Sequence, residues 1–211
     1  MSENRSSKQR NKSSLKRSSR GYSERKVETR ELRERFLIVC EGEKTEPNYF
    51  KSFRVPKDVI DIHGLGANTT SIVKEAINLK KKDGNYAQVW CVFDRDSFTK
   101  QNFNAAISMA KAQGIQVAYS NEAFELWYLL HFHYYHTAMS RKRYGTMLTQ
   151  LLGYEYQKNS EIIYEELENR QKDAIRNSRK LLEQYEPPNP ECDNPSTTVH
   201  LLVEQLNRFI R

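Results

Sequence analysis

Short apolar runs alternate with segments of helical periodicity along the first part of the chain. Two of these runs, residues 36–40 and 88–93, have strand length and no polar alternation, which predicts strands buried on both faces. The apolar spacing predicts further strands at 59–63 and 115–119 and helices at 45–54, 69–82 and 100–112. Because strands that alternate with helices are typical of βαβ units, the pattern predicts an α/β fold with a mainly parallel sheet.

The remaining chain is predicted to be helical. A segment that starts near residue 122 is apolar on nearly all sides, so we expect a buried helix there. Helical spacing predicts helices at 141–152 and 160–185 and, after a proline-rich loop, a last helix capped by Ser196 or Thr197. We therefore expect an α/β domain over residues 34–135 and a helical extension over 136–211 that packs on it.

The basic charge of the chain is confined to its N-terminal end. Residues 1–35 hold 12 Lys or Arg and 5 Asp or Glu, whereas residues 36–211 hold 22 of each sign. Residues 1–33 have few apolar side chains, so we expect a disordered basic tail. Such a tail either grips phosphates without sequence preference or is solvated and has no role.

The composition also predicts where the protein works. No apolar run approaches the roughly 18 residues of a membrane span, and the N-terminus lacks the apolar stretch of a secretory signal. Cys40 and Cys91 lie in predicted buried strands, and the three cysteines show no C-x-x-C spacing. Reduced, structural thiols are therefore expected, which indicates a cytoplasmic protein without a membrane partner.

Carboxylates follow two of the predicted buried strands at the point where each strand ends. Glu41 follows the first strand, and Asp94 and Asp96 follow the third. If these strands are parallel neighbours, the three side chains converge at one edge of the sheet, where α/β proteins bind ligands. Clustered carboxylates suit Mg²⁺ or Mn²⁺. The alternative is that the aspartates hydrogen-bond within turns and that Glu41 interacts with the dipole of the next helix.

Two further sets of residues are weaker candidates. Glu122 and Glu125 follow the fourth strand and would either complete a second metal site or serve as first-turn acids of the buried helix. The basic residues near these positions would either contact phosphates or be solvated; they are Lys44, Arg95, Arg141, Lys142 and Arg143. The spacing of His131, His133 and His136 favours packing among aromatic rings over metal binding.

A strand followed by Glu-Gly, and later a strand followed by Asp-x-Asp, resembles the Toprim domain of topoisomerases, primases and OLD-type nucleases. Residues 39–50 (VCEGEKTEPNYF) more closely resemble the opening of the RloB family. The segments FDRD at 93–96, SNEAFELW at 120–127 and NPSTTV at 194–199 extend the resemblance over residues 35–211. Glu43 and Glu46 add acids beyond the basic Toprim pattern.

The resemblance implies a Toprim-like α/β domain with a four-stranded, mainly parallel sheet and a bacterial protein of phage defence or abortive infection. It also implies a Mg²⁺- or Mn²⁺-dependent nuclease in which Glu41, Asp94 and Asp96 are catalytic and hold the metal. The substrate would be DNA or RNA, an ATPase is a candidate partner, and a homo-oligomer is open. The alternative is a module that binds metal, nucleotide or nucleic acid without cutting it and works through its partner.

Overall fold

The computed structural model of the protein describes residues 34–95 and 100–209. The strands are β1 (Phe36–Cys40), β2 (Ile60–Gly64), β3 (Gln88–Asp94), β4 (Gln116–Asn121) and β5 (Ser196–Thr197). The helices are α1 (Thr45–Lys51), α2 (Thr69–Lys82), α3 (Lys100–Ala112), α4 (Glu125–Leu130), α5 (Arg141–Leu152), α6 (Ile163–Leu167), α7 (Gln171–Leu182) and α8 (Val199–Asn207). None of the helices in these ranges is long and apolar enough to cross a membrane.

The five strands form one sheet in the order β2-β1-β3-β4-β5. β1 pairs in parallel with both β2 and β3, and β3 pairs in parallel with β4. The α/β fold with a mainly parallel sheet is therefore confirmed, and β1 and β3 are parallel neighbours. The sequence pattern also predicted most of the elements to within one or two residues.

The predicted number of four strands is too low by one. The sheet has a fifth, short strand, β5, which pairs antiparallel with the end of β4. Ser196 or Thr197 was expected to cap the last helix. Both lie in this strand instead, and Thr198 takes the N-cap position of α8. A two-residue strand carries no periodicity of its own, so its pairing with β4 could not be read from the sequence.

The sheet is covered by helices on both faces, and β1 shows the division. Its alternate residues Phe36, Ile38 and Cys40 pack in one core cluster with α1, α4, α7 and α8. Leu37 and Val39 pack in the other cluster with α2 and α3. Because successive side chains of a strand point to opposite faces, every residue of β1 is buried. This explains the uninterrupted apolar run.

The predicted helix over residues 160–185 is broken in the structure. α6 is followed by a 3₁₀ helix (Glu168–Arg170), and α7 then begins at Gln171. Tyr164 of α6 packs against Phe53, whereas Asn177 of α7 donates a hydrogen bond to the carbonyl of Leu130 at the end of α4. The 3₁₀ helix thus separates two helices that contact different parts of the protein.

The predicted buried helix after β4 is confirmed, because every residue of α4 is buried. The histidines that follow contact aromatic rings: His131 lies edge-on to Trp127, His133 to Tyr135, and His136 stacks on Tyr134. His131 also hydrogen-bonds through Nδ1 to the carbonyl of Trp127. Burial lowers the pKa of His131 to about 4, which keeps this ring neutral near pH 7.

Candidate functional site

Glu41 lies where β1 ends and is held by hydrogen bonds to neighbouring segments. Its backbone N–H donates to the carbonyl of Val92 at 2.8 Å, and its own carbonyl accepts from the N–H of Gly66 at 2.9 Å. Its Oε2 accepts from the backbone N–H of Asp94 at 3.0 Å. The structure therefore brings Glu41 and Asp94 together at the carboxyl edge of the sheet.

A cleft of about 400 Å³ opens above this edge. Its lining residues are Glu41, Gly42, Glu43, Lys44, Thr45, Glu46, Asp94, Arg141, Lys158 and Asn159. Of the predicted site residues, Glu41, Lys44, Asp94 and Arg141 thus share one cleft. Arg95 lines a separate pocket of about 180 Å³ beside Asn121 and Asn194.

Asp94 is buried at the floor of the cleft, and its pKa is raised well above the ordinary value. Burial is the main cause, and the negative charges of Glu46 and Glu125 add to it. The guanidinium of Arg141, whose Nη2 lies 3.5 Å from Asp94 Oδ2, acts in the opposite direction. A charged Asp94 is therefore costly here unless a cation accompanies it.

Glu46 is a second buried carboxylate that lines the cleft, since only 4% of the residue is exposed. Burial raises its pKa, and the charge of Glu125 acts in the same direction. Hydrogen bonds from the backbone N–H groups of Glu46 and Gly42 and the charge of Lys158 oppose the rise. A Cβ on Gly42 would collide with Glu46 Oε2, so this glycine makes room for the carboxylate. The run of acids after β1 was the signal that could have pointed to Glu46.

Glu125 stands at the start of α4, behind the residues that line the cleft. It is 5% exposed, and its Oε1 accepts a hydrogen bond from the hydroxyl of Tyr156 at 3.4 Å. Its Oε2 is buried and has no hydrogen-bond partner within the described part of the chain. Burial, together with the charge of Glu125, raises the pKa of Tyr156, so this phenol stays protonated and can donate. The negative charge of Glu125 also raises the pKa of Asp94 and that of Glu46.

Glu122 uses its two carboxylate oxygens to hold other segments. Oε2 accepts from the backbone N–H of Arg141 at 3.1 Å, and Oε1 accepts from Asn194 Nδ2 at 3.3 Å. Glu122 thereby fixes the start of α5 beside the cleft. Lys142 and Arg143 follow on the same helix, are exposed and do not line the cleft.

Part of the cleft lining comes from the loop after α5, which supplies Lys158 and Asn159. Thr45 Oγ1 donates to Asn159 Oδ1 at 3.0 Å, and Asn48 Nδ2 donates to the carbonyl of Asn159 at 3.2 Å. Lys44 takes the N-cap position of α1, and Thr45 is the first residue of the helix. Lys158 and Asn159 were missed because they are more than 100 residues from Thr45 and follow no motif.

The oxygen donors of the cleft suit a hard divalent cation in their chemistry, and Glu41 and Asp94 could hold one together. Within residues 34–95 and 100–209, no group of three or more His, Cys, Asp or Glu side chains is arranged closely enough to hold a metal ion. Asp96, the third predicted ligand, lies outside the described residues. The fit to a cation thus rests on the donor type and on the raised pKa values of Asp94 and Glu46.

Comparison with known proteins identifies the family. No curated protein and no solved structure matches the chain. The family model described as RloB-like protein matches residues 36–206, which is most of the chain and includes every residue that lines the cleft. The chain therefore belongs to the RloB-like protein family.

Proposed function

We propose that this RloB-like protein is a metal-dependent phosphodiesterase, specifically a nuclease that uses Mg²⁺ or Mn²⁺. The observation that carries the proposal is Asp94, a buried aspartate with a raised pKa on the floor of an open cleft. Ionisable side chains whose pKa is strongly shifted and that lie in a cleft are characteristic of functional sites. Its neighbours are carboxylates, and the rim of the cleft carries cations that could bind phosphate.

The proposed roles follow from the positions of the residues. Asp94 and Asp96 would hold the cation, which would offset the negative charge that builds on the scissile phosphate. Glu41 is oriented by the N–H of Asp94 and would either share the cation or take a proton from the attacking water. Such general-base assistance is worth about 10²–10⁴-fold in rate. Lys44, at the N-cap of α1, would hold a neighbouring phosphate as a point charge.

The Toprim relationship and the role in bacterial phage defence belong to the same proposal. The order β2-β1-β3-β4, with Glu41 directly after β1 and Asp94 at the end of β3, supports the Toprim assignment, because Glu41 and Asp94 then lie at the ends of adjacent parallel strands. Cytoplasmic location, an ATPase partner and self-association are further parts of the proposal. They rest on the resemblance and on the composition.

The test is to incubate the purified full-length protein with single- and double-stranded DNA and RNA in Mg²⁺ or Mn²⁺. Glu41→Gln is the active-site variant, and Glu165→Gln, an exposed acid of α6, is the matched control. We expect metal-dependent cleavage by the wild type and the control that is lost in Glu41→Gln. Cation binding without cleavage of any polymer would overturn the nuclease assignment and favour a binding module that acts through a partner.

A further inference from the structure

The charges of the cleft are divided between two parts of the chain. Its carboxylates come from the ends of β1 and β3 and from α1, whereas Arg141 and Lys158 come from α5 and the loop after it. We propose that Arg141 and Lys158 are internal counterions of the carboxylates, and that they exchange this contact for the phosphates of a nucleic-acid strand when a divalent cation binds. The inference rests on the proposed function and adds the residues that couple cation binding to substrate binding.

Arg141 has the geometry that this exchange requires. Its backbone is fixed, since its N–H donates to Glu122 Oε2 at 3.1 Å. Its guanidinium reaches Asp94 at 3.5 Å, and 42% of the side chain remains exposed, against 10% for Asp94. The long side chain can therefore turn from the buried carboxylate towards the open cleft without moving α5.

Lys158 lies in the loop after α5 and also lines the cleft. Its charge acts on Glu46, where it opposes the rise in the pKa of that carboxyl. The neighbouring Asn159 is tied to Thr45 and Asn48 of α1, so the loop is held against the carboxylate side of the cleft. Arg141 thus lies beside Asp94, and Lys158 lines the same cleft as Glu46 and acts on it through its charge.

A divalent cation would weaken the attraction of Arg141 and Lys158 to the carboxylates of the cleft. A small ion with two charges binds carboxylate oxygens directly, which neutralises the groups that hold Arg141 and Lys158. A phosphate group is then the stronger partner, since guanidinium forms bidentate, charge-assisted hydrogen bonds with it. Cation and nucleic acid should therefore bind cooperatively, because each reduces the repulsion that the other would meet.

The test measures two affinities that should move in opposite directions. Arg141→Gln and Lys158→Gln remove a competitor for the carboxylates, so Mn²⁺ binding should tighten by about two- to fivefold, the range for a partly exposed ion pair. Binding of fluorescent single-stranded DNA and RNA in Ca²⁺ should weaken by about tenfold, since a charge-assisted contact is lost. Both substitutions are on the surface, and melting curves confirm that the variants fold.

Two matched controls remove a cation of the same type elsewhere. Arg54→Gln breaks the exposed pair of Arg54 with Glu168 at 3.2 Å, and Lys111→Gln removes an exposed lysine of α3. Neither control should change Mn²⁺ affinity. Any nonspecific binding by the basic residues 1–35 is common to all the proteins, so fold-changes are taken relative to the wild type.

The outcomes separate this inference from the proposed function. If the wild type binds Mn²⁺ and cleaves, but Arg141→Gln and Lys158→Gln leave both affinities unchanged, only the exchange is overturned. Weaker Mn²⁺ binding in the variants also overturns it, because the two cations would then support the site and not compete for it. If the wild type binds no divalent cation, the exchange and the proposed function fall together.

Discussion

The carboxylate of Glu41 accepts a hydrogen bond from the backbone N–H of Asp94 at 3.0 Å. This bond joins the end of β1 to the end of β3 and fixes the distance between the two acids that the proposed chemistry needs. A carboxylate that accepts a backbone N–H is oriented before any ligand arrives, which is the property required of a catalytic base. Different substitutions of Glu41 can therefore distinguish its structural role as hydrogen-bond acceptor from its proposed role in catalysis.

Glu41→Gln keeps an oxygen that accepts the Asp94 N–H, whereas Glu41→Ala does not. We expect cleavage to fall by about 10²–10⁴-fold in Glu41→Gln with little change in the free energy of unfolding. Glu41→Ala should lose activity to a similar extent and also about 1–3 kcal/mol of stability, because the N–H loses its partner. Single-turnover cleavage and urea unfolding measure the two effects. Equal stability of both variants would contradict the structural role of the bond.

Asp94→Asn should stabilise the protein in EDTA at neutral pH. The pKa of Asp94 is raised in the folded state, so its charged form is disfavoured by folding above that pKa. This destabilisation is relieved as the pH falls through the folded pKa towards the ordinary value of 3.8. The difference in unfolding free energy between variant and wild type should therefore shrink as the pH is lowered. A variant that is less stable than the wild type at pH 7 would contradict this account.

Buried His131 should make the protein less stable as the pH falls, which is opposite in sign to the effect of Asp94. Its pKa is about 4 in the folded protein against an ordinary value of 6.5, so the unfolded chain takes up a proton first as the pH falls. The stability attributable to the neutral ring is intact above pH 6.5 and declines between 6.5 and 4, by about 3 kcal/mol in all. His131→Asn, which retains a donor for the Trp127 carbonyl, should show a shallower decline. If the unfolding free energies of the wild type and His131→Asn decline equally between pH 6.5 and pH 4, the prediction is contradicted.

Gly42→Ala should impair cation binding without unfolding the protein. The new Cβ would collide with Glu46 Oε2, so the carboxylate of Glu46 must shift from its present position. Gly84→Ala is the matched control, because a Cβ at Gly84 meets nothing within 4 Å. We expect weaker Mn²⁺ affinity only in Gly42→Ala, measured by titration beside melting curves. Unchanged affinity would show that Glu46 does not serve the cleft.

The sequence was most informative where short-range pattern determines structure. The apolar runs of β1 and β3 predicted buried strands. The acids Glu41 and Asp94 lie near one edge because the two strands are parallel neighbours in the sheet. The break between α6 and α7 and the strand β5 depend on contacts between distant segments, such as Tyr164 with Phe53. Such contacts leave no period in the sequence.

The same limit applies to the cleft. Its carboxylate side follows motifs near strand ends and could be predicted in part. Of its basic side chains, Lys44 and Arg141 were named from the sequence, and both line the cleft. Lys158 was missed, because it reaches the cleft through the loop that Asn159 ties to Thr45. Glu46 was visible as one of several acids after β1, but its burial depends on the space that Gly42 leaves.

The central claim is that the carboxylates of this cleft hold a divalent cation. The most direct measurement is a Mn²⁺ titration of the EDTA-treated full-length protein, followed by electron paramagnetic resonance of the free ion, beside Asp94→Asn and the Glu41→Gln/Asp94→Asn double variant. We predict saturable binding by the wild type that is weakened in the single variant and lost in the double variant. Binding that is equal in all three proteins, or absent from the wild type, would contradict the claim.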